Sequence, residues 1–175
     1  DARVHAISWN GTSSGWLGFD ADKKLCKEIT EETGIPASTS VLALNEIFEK
    51  TGVKRFGLVT PYLDEIQEKV IETYASEGFE CVSERHLRDK GNFSYSEVSE
   101  ELIANMVREV AKDKPEAITI FCTNLHGASI VDELEKETGI PIYDTVSTSV
   151  WKAMKQAGAD PTLVKGWGRL FDEIG

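Results

Sequence analysis

One cysteine stands where a reactive group could stand. Cys122 ends the apolar run of ITIFCTNLHG, residues 118–127, and small polar residues follow it. A thiol at such a turn can attack an electrophile or hand over a proton, and at a helix start its pKa would be lowered. Cys26 falls in a helical pattern and Cys81 in an extended one, and both suit small core residues. Residue type and place alone leave Cys122 open between core thiol and catalyst. His126, four residues on, could pair with it as in Cys–His catalysis. It need not point the same way, and a solvent-facing histidine is the plainer reading. His5 and His86 fall at extended positions, and no Ser–His–Asp arrangement is legible.

A second loop has matching chemistry. NGTSSG (10–15), like CTNLHG (122–127), lies between a strand pattern and a helix pattern. Backbone N–H groups at a helix start favour an anion. Thr12, Ser13, Ser14, Thr123 and Asn124 would add side-chain donors, and neither loop holds Lys or Arg. That set suits a carboxylate held by neutral donors better than a phosphate. Neither loop has the Walker A or dinucleotide spacing. Tyr62, in TPYLDE after the run RFGLVT, could give its phenol to a carboxylate or pack on a sheet. Asn92, in DKGNFSYSE, could reach a ligand or cap the helix that follows.

The elements that must position these residues alternate. Strands are expected at 4–9, 54–60, 79–84, 116–121 and 140–146, and helices at 20–34, 40–52, 64–78, 95–114, 127–139 and 148–158. Asp20 and Ser40 are the expected caps of the first two helices, and glycines close most of them. Such alternation means an α/β fold with a mostly parallel sheet, whose ligands bind beyond the carboxyl ends of the strands. ETGIP occurs at 32–36 and again at 137–141, and each copy is followed by STSV, at 38–41 and 147–150. The repeat points to a duplicated α/β unit, with NGTSSG and CTNLHG facing each other about a pseudo-twofold axis. The halves are expected at 1–52 with 148–175, and at 53–147.

Composition excludes several functions. The 175 residues carry a formal net charge of -11, which argues against a nucleic-acid partner. The nearest basic cluster, SERHLRDK, has acids inside it and reads as solvated surface. The three cysteines have no zinc-ligand spacing, so no metal is expected, and their odd number argues against a disulfide framework. Reduced thiols fit an intracellular, cytoplasmic protein. No apolar run reaches the roughly 18 residues of a membrane span, and no signal peptide is visible. The chain opens on Asp1 and runs almost directly into a strand, so a preceding segment is expected.

GTS (11–13), TPYLDE (60–65), CTN (122–124) and GWGRLF (166–171) together resemble the Asp/Glu racemase superfamily. The closer resemblance is to its arylmalonate decarboxylase and maleate cis-trans isomerase branch, over nearly the whole chain. It implies two pseudo-twofold-related, Rossmann-like parallel-sheet halves with the site between them, here lacking a further N-terminal strand–helix unit. It also implies a cofactor-free enzyme acting on a small dicarboxylic acid, with no membrane partner; a homo-oligomer is left open. Racemases and maleate isomerase carry a cysteine at the position of Gly11, whereas the decarboxylase has glycine there and keeps only the second-half cysteine. Gly11-Thr12-Ser13 with Cys122 is thus decarboxylase-like, and a two-thiol racemase lacks its first thiol. Thr123-Asn124 departs from the decarboxylase's glycine pair, and Asn92 resembles an asparagine of the isomerase. The implied roles are a carboxylate cradle of Thr12, Ser13 and Tyr62, with Cys122 protonating an enediolate. Three alternatives stand beside it: a maleate-type isomerase, a non-catalytic carboxylate-binding protein on the same scaffold, and a Cys–His hydrolase using Cys122 and His126.

Overall fold

The computed structural model describes residues 3–175. The chain runs β1 (Ile7–Trp9), α1 (Ser14–Leu17), α2 (Asp20–Thr33), β2 (Ala37–Thr39) and α3 (Ser40–Thr51). It continues through β3 (Arg55–Thr60), α4 (Asp64–Ser76), β4 (Glu80–His86), α5 (Glu100–Ala111) and β5 (Ala117–Ile120). It ends with α6 (Val131–Thr138), β6 (Ile142–Asp144), α7 (Thr145–Gln156) and α8 (Arg169–Glu173). Two parallel sheets result: β1 pairs with β2, and the other has the order β4-β3-β5-β6. Among the described residues, no helix is long and apolar enough to cross a membrane.

The central strands show why the apolar runs in the sequence are continuous. All four residues of β5 are buried, as are five of the six in β3, because helices cover both faces of a parallel sheet. Phe48, Phe56, Tyr74 and Phe79 pack edge-on or tilted within this core, with ring centroids 5.0–6.2 Å apart in the cluster around Tyr74.

The ETGIP copies are structurally alike. Gly34 and Gly139 close α2 and α6 at φ 70° and 74°, where a side chain would be strained. In each copy the preceding threonine hydroxyl donates to the carbonyl four residues back, Thr33 to Ile29 and Thr138 to Leu134. The STSV copies are not equivalent. The first straddles the β2–α3 junction, whereas the second lies inside α7, because Asp144 caps that helix and starts it at Thr145. They meet all the same: Thr148 donates to the Ser40 carbonyl at 2.9 Å, and the Ser149 and Ser8 hydroxyls lie 2.6 Å apart.

Several expected boundaries move. Thr39, not Ser40, caps α3 by accepting from the Leu42 amide at 3.1 Å, and Asp20 lies inside the first turn of α2 behind Phe19. The expected helix 95–114 is a 3-10 turn at Ser94–Glu97 followed by α5, because the Ser99 side chain accepts from the Leu102 amide and starts a new helix. The expected helix 127–139 likewise begins as a 3-10 turn at Ala128–Ile130. The short strand β2 had no forecast. His5 lies ahead of β1 in a bend, while His86 ends β4.

Candidate active site

The carboxyl ends of β1, β3, β4 and β5 converge on one cavity of ≈ 480 Å³. Its wall includes Gly11, Thr12, Ser13, Tyr62, Asn92, Cys122, Thr123 and Asn124, so eight of the candidate residues line the same space. The two loops touch: Thr123 donates to the Asn10 carbonyl at 3.3 Å. Tyr62 joins the first loop to the sheet, its hydroxyl 2.6 Å from Thr12 Oγ1. Among the described residues, the backbone N–H groups of Thr12, Ser13 and Thr123 meet no protein acceptor.

Cys122 is buried. It does not sit at a helix N-terminus, since the Leu125 amide bonds its carbonyl at 3.2 Å in a turn and α6 begins only at Val131. The expected fall in its pKa is therefore reversed. Burial pushes the thiol above its ordinary value of 9.0, and the Asp144 carboxylate adds to the push; the Asn124 and Leu125 amides and the Tyr62 hydroxyl pull the other way without prevailing. At neutral pH this sulfur carries its proton. Burial also holds the Tyr62 phenol well above its ordinary 10.0, with the Cys122 sulfur contributing, so Tyr62 too is a donor.

Asn92 is not a helix cap. It accepts from Asn124 Nδ2 at 2.7 Å on its side chain and at 3.3 Å on its carbonyl, which ties the loop after β4 to the loop after β5. Ser14, grouped with the cavity donors in the sequence, turns away and donates to Asp22 at 2.7 Å in the interior. His126 is exposed and lies outside the cavity wall, which removes the partner a Cys–His hydrolase needs.

Gly11 has a neighbour that the sequence did not reveal. A Cβ at this position would lie 2.7 Å from Trp9 Nε1 and 3.1 Å from Trp9 Cε2. The indole, 52% exposed at the end of β1, stands over the glycine. Trp16, Ile66, Tyr95 and Lys90 complete the wall and were also missed. A usable signal was present, since each follows or ends a strand or begins the helix after it. Lys90, read within SERHLRDK as solvated surface, is exposed and also borders the cavity.

The family model for arylmalonate decarboxylase matches residues 1–171. The chain belongs to the arylmalonate decarboxylase family. It is 27% identical over 170 residues to an arylmalonate decarboxylase of Bordetella bronchiseptica, covering 95% of this chain and 71% of that protein. It is also 27% identical over 134 residues to a maleate isomerase of Nocardia farcinica, covering 76% of this chain and 53% of that protein. A crystal structure of arylmalonate decarboxylase superposes with a TM-score of 0.86 at 26% identity, over 97% of this chain and 75% of the other. For this arylmalonate decarboxylase homologue, the branch suggested by GTS, TPYLDE, CTN and GWGRLF is thus the right one, as is the α/β fold that it implied.

Glu135 explains part of the GWGRLF motif. Its buried carboxylate accepts from the Ile142 amide and from the Arg169 amide, each at 2.7 Å, and so clasps the C-terminal segment to the start of β6.

Proposed function

We propose that this chain is a cofactor-independent decarboxylase of a malonate-type diacid. One substrate carboxylate lies in the cradle of Thr12, Ser13, Tyr62 and the loop amides. The bond from the reacting carbon to the other carboxylate breaks and releases CO₂, and its electron pair passes into an enediolate on the cradled carboxylate. Neutral donors fixed around that oxyanion stabilise it as charge develops, an effect of about 10²–10³ in rate per donor. The Cys122 thiol then gives its proton to the planar carbon from one side, and the resulting thiolate takes a proton back from solvent.

The observation that carries this reading is the pairing of a protonated, buried thiol on one wall with a glycine under an indole on the other. Such a site has one thiol. It can protonate a carbanion from one face but cannot pass a proton from one thiol to another. Trp9, Trp16 and Ile66 offer the apolar wall against which the leaving carboxylate would lose hydration. Incubation with aryl- and alkylmalonates, with CO₂ release as the readout, tests it: turnover is expected in the native chain and its near-loss in Cys122→Ser.

A maleate-type cis-trans isomerase is the second reading, and the Asn92–Asn124 pair favours it by supplying amides beside the thiol. That reaction would require Cys122 itself to add to the double bond. Fumarate formed from maleate in the same tubes, without CO₂, would select it. A carboxylate-binding protein would instead gain thermal stability from diacids without turning any over.

A further inference from the structure

Among the described residues lining the cavity, Lys90 is the one charged side chain, and no carboxylate lines it. This is unusual in a chain with 30 acidic residues and a net charge of -11. Lys90 makes no ion pair among the described residues, whereas many surface lysines here do. Its loop is held in place. The amides of Leu87, Arg88 and Asp89 bond the carbonyls of Thr60, Tyr62 and Pro61 at 3.3, 3.1 and 3.0 Å, which fixes Lys90 relative to the Tyr62 cradle. Arg88 adopts φ 57°, a costly conformation for a residue with a side chain, and its guanidinium is tied to Asp64 at 2.8 Å. Asp89 Oδ1 accepts from the Gly91 amide at 2.9 Å and closes the turn around Lys90.

The cradle contains only neutral donors, so it can hold one carboxylate by hydrogen bonds but brings it no counter-charge. Lys90 is exposed where it borders the cavity, so its ammonium is solvated until an anion arrives to pair with it. A carboxylate that leaves as CO₂ loses its charge, and an ammonium beside it would hold it in the ground state and slow departure. The ammonium therefore suits an anion that the substrate keeps throughout. We propose that Lys90 determines specificity by pairing with a retained carboxylate, additional to the one in the cradle. In the decarboxylase reading the substrate is then a malonate whose substituent bears a carboxylate; in the isomerase reading it is the second carboxylate of the alkene diacid. The inference rests on the proposed reading of the cavity as a carboxylate site.

Binding separates the two ideas, because it needs no turnover. Calorimetric titration with succinate and with 4-methylpentanoate compares a second carboxylate with an isopropyl group of similar size. The native chain is expected to bind succinate about tenfold more tightly, a preference that shrinks as salt rises. Lys90→Met should abolish the preference and Lys90→Arg keep it, with circular dichroism confirming that both variants are folded and Lys90→Gln replacing any that is not. Equal binding of the two acids by the native chain, or a preference that survives Lys90→Met, overturns the inference. Turnover is read separately, with carboxymethylmalonate against phenylmalonate: Lys90→Met should raise KM for the first about tenfold and leave the second unchanged. A Lys90-dependent succinate preference with no CO₂ from either malonate would sustain the inference and remove the decarboxylase reading.

Discussion

At residues 122–127 a buried thiol is wrapped by the amides of Asn124 and Leu125. At residues 10–15, the place where related racemases hold a second thiol is Gly11, and the Trp9 indole covers it. Both loops leave a parallel strand at its carboxyl end, both present amides and hydroxyls, and they touch through Thr123 and the Asn10 carbonyl. The difference between them lies in which loop can move a proton. The two loops share a setting but not a chemistry, and the difference follows from two residues, Gly11 and Trp9.

The largest effect should come from removing the acid of the second loop. Cys122→Ser is expected to lower kcat about 10³-fold, within the range for a positioned proton donor, with little change in melting temperature. Retained turnover would mean that the two loops do not differ as described. Next comes the residue between them. Tyr62→Phe removes a donor that faces both Thr12 and Cys122, and kcat should fall about 10²-fold with KM rising less.

A third effect reads the interior behind the second loop. Asp144 is buried, its Oδ2 has no partner, and burial raises its pKa to about 7 from an ordinary 3.8 despite bonds from the Val146 and Ser147 amides. Because the folded chain holds this proton more tightly than the unfolded one, the contribution of Asp144 to stability is fullest below about pH 4 and is lost as pH rises through about 7. The loss attributable to this group is roughly 2–4 kcal/mol. Urea titrations across that range should show the native chain losing stability relative to Asp144→Asn as pH rises.

The smallest effect should be at the first loop. Gly11→Cys alone must displace the indole, at a cost of about 1–3 kcal/mol in stability. Racemisation of the product acid should appear only when Trp9→Ala accompanies it. Racemase activity in the single variant would show that Trp9 yields freely and that the contrast between the loops rests on Gly11 alone.

The sequence disclosed these loops unevenly. Strand–helix alternation and the ETGIP repeat are local patterns, and the fold followed from them. All eight named site residues line one cavity because each belongs to a short motif at a strand end. What escaped was set by contacts distant in sequence or by competition between neighbours. Lys90 is solvated surface, as its charged neighbours suggest, but only the bond of its loop to Tyr62 shows that it borders the cavity. The pKa of Cys122 was misjudged in direction because burial outweighs the amides around it. The break before α5 was missed because a single serine hydroxyl ended one helix and started another. The role of STSV as a matched repeat failed because Asp144 begins α7 earlier than the apolar pattern implied.

Trp9 has a consequence of a different kind. Two of the four tryptophans, Trp9 and Trp16, border the cavity, while Trp151 is buried elsewhere and Trp167 lies near the C-terminus. An indole that is 52% exposed emits as a solvated fluorophore. Ligand arrival would strip water from that ring, so the residue that closes off the second thiol also gives the protein an intrinsic optical signal for occupancy, readable in a stopped-flow instrument without any label.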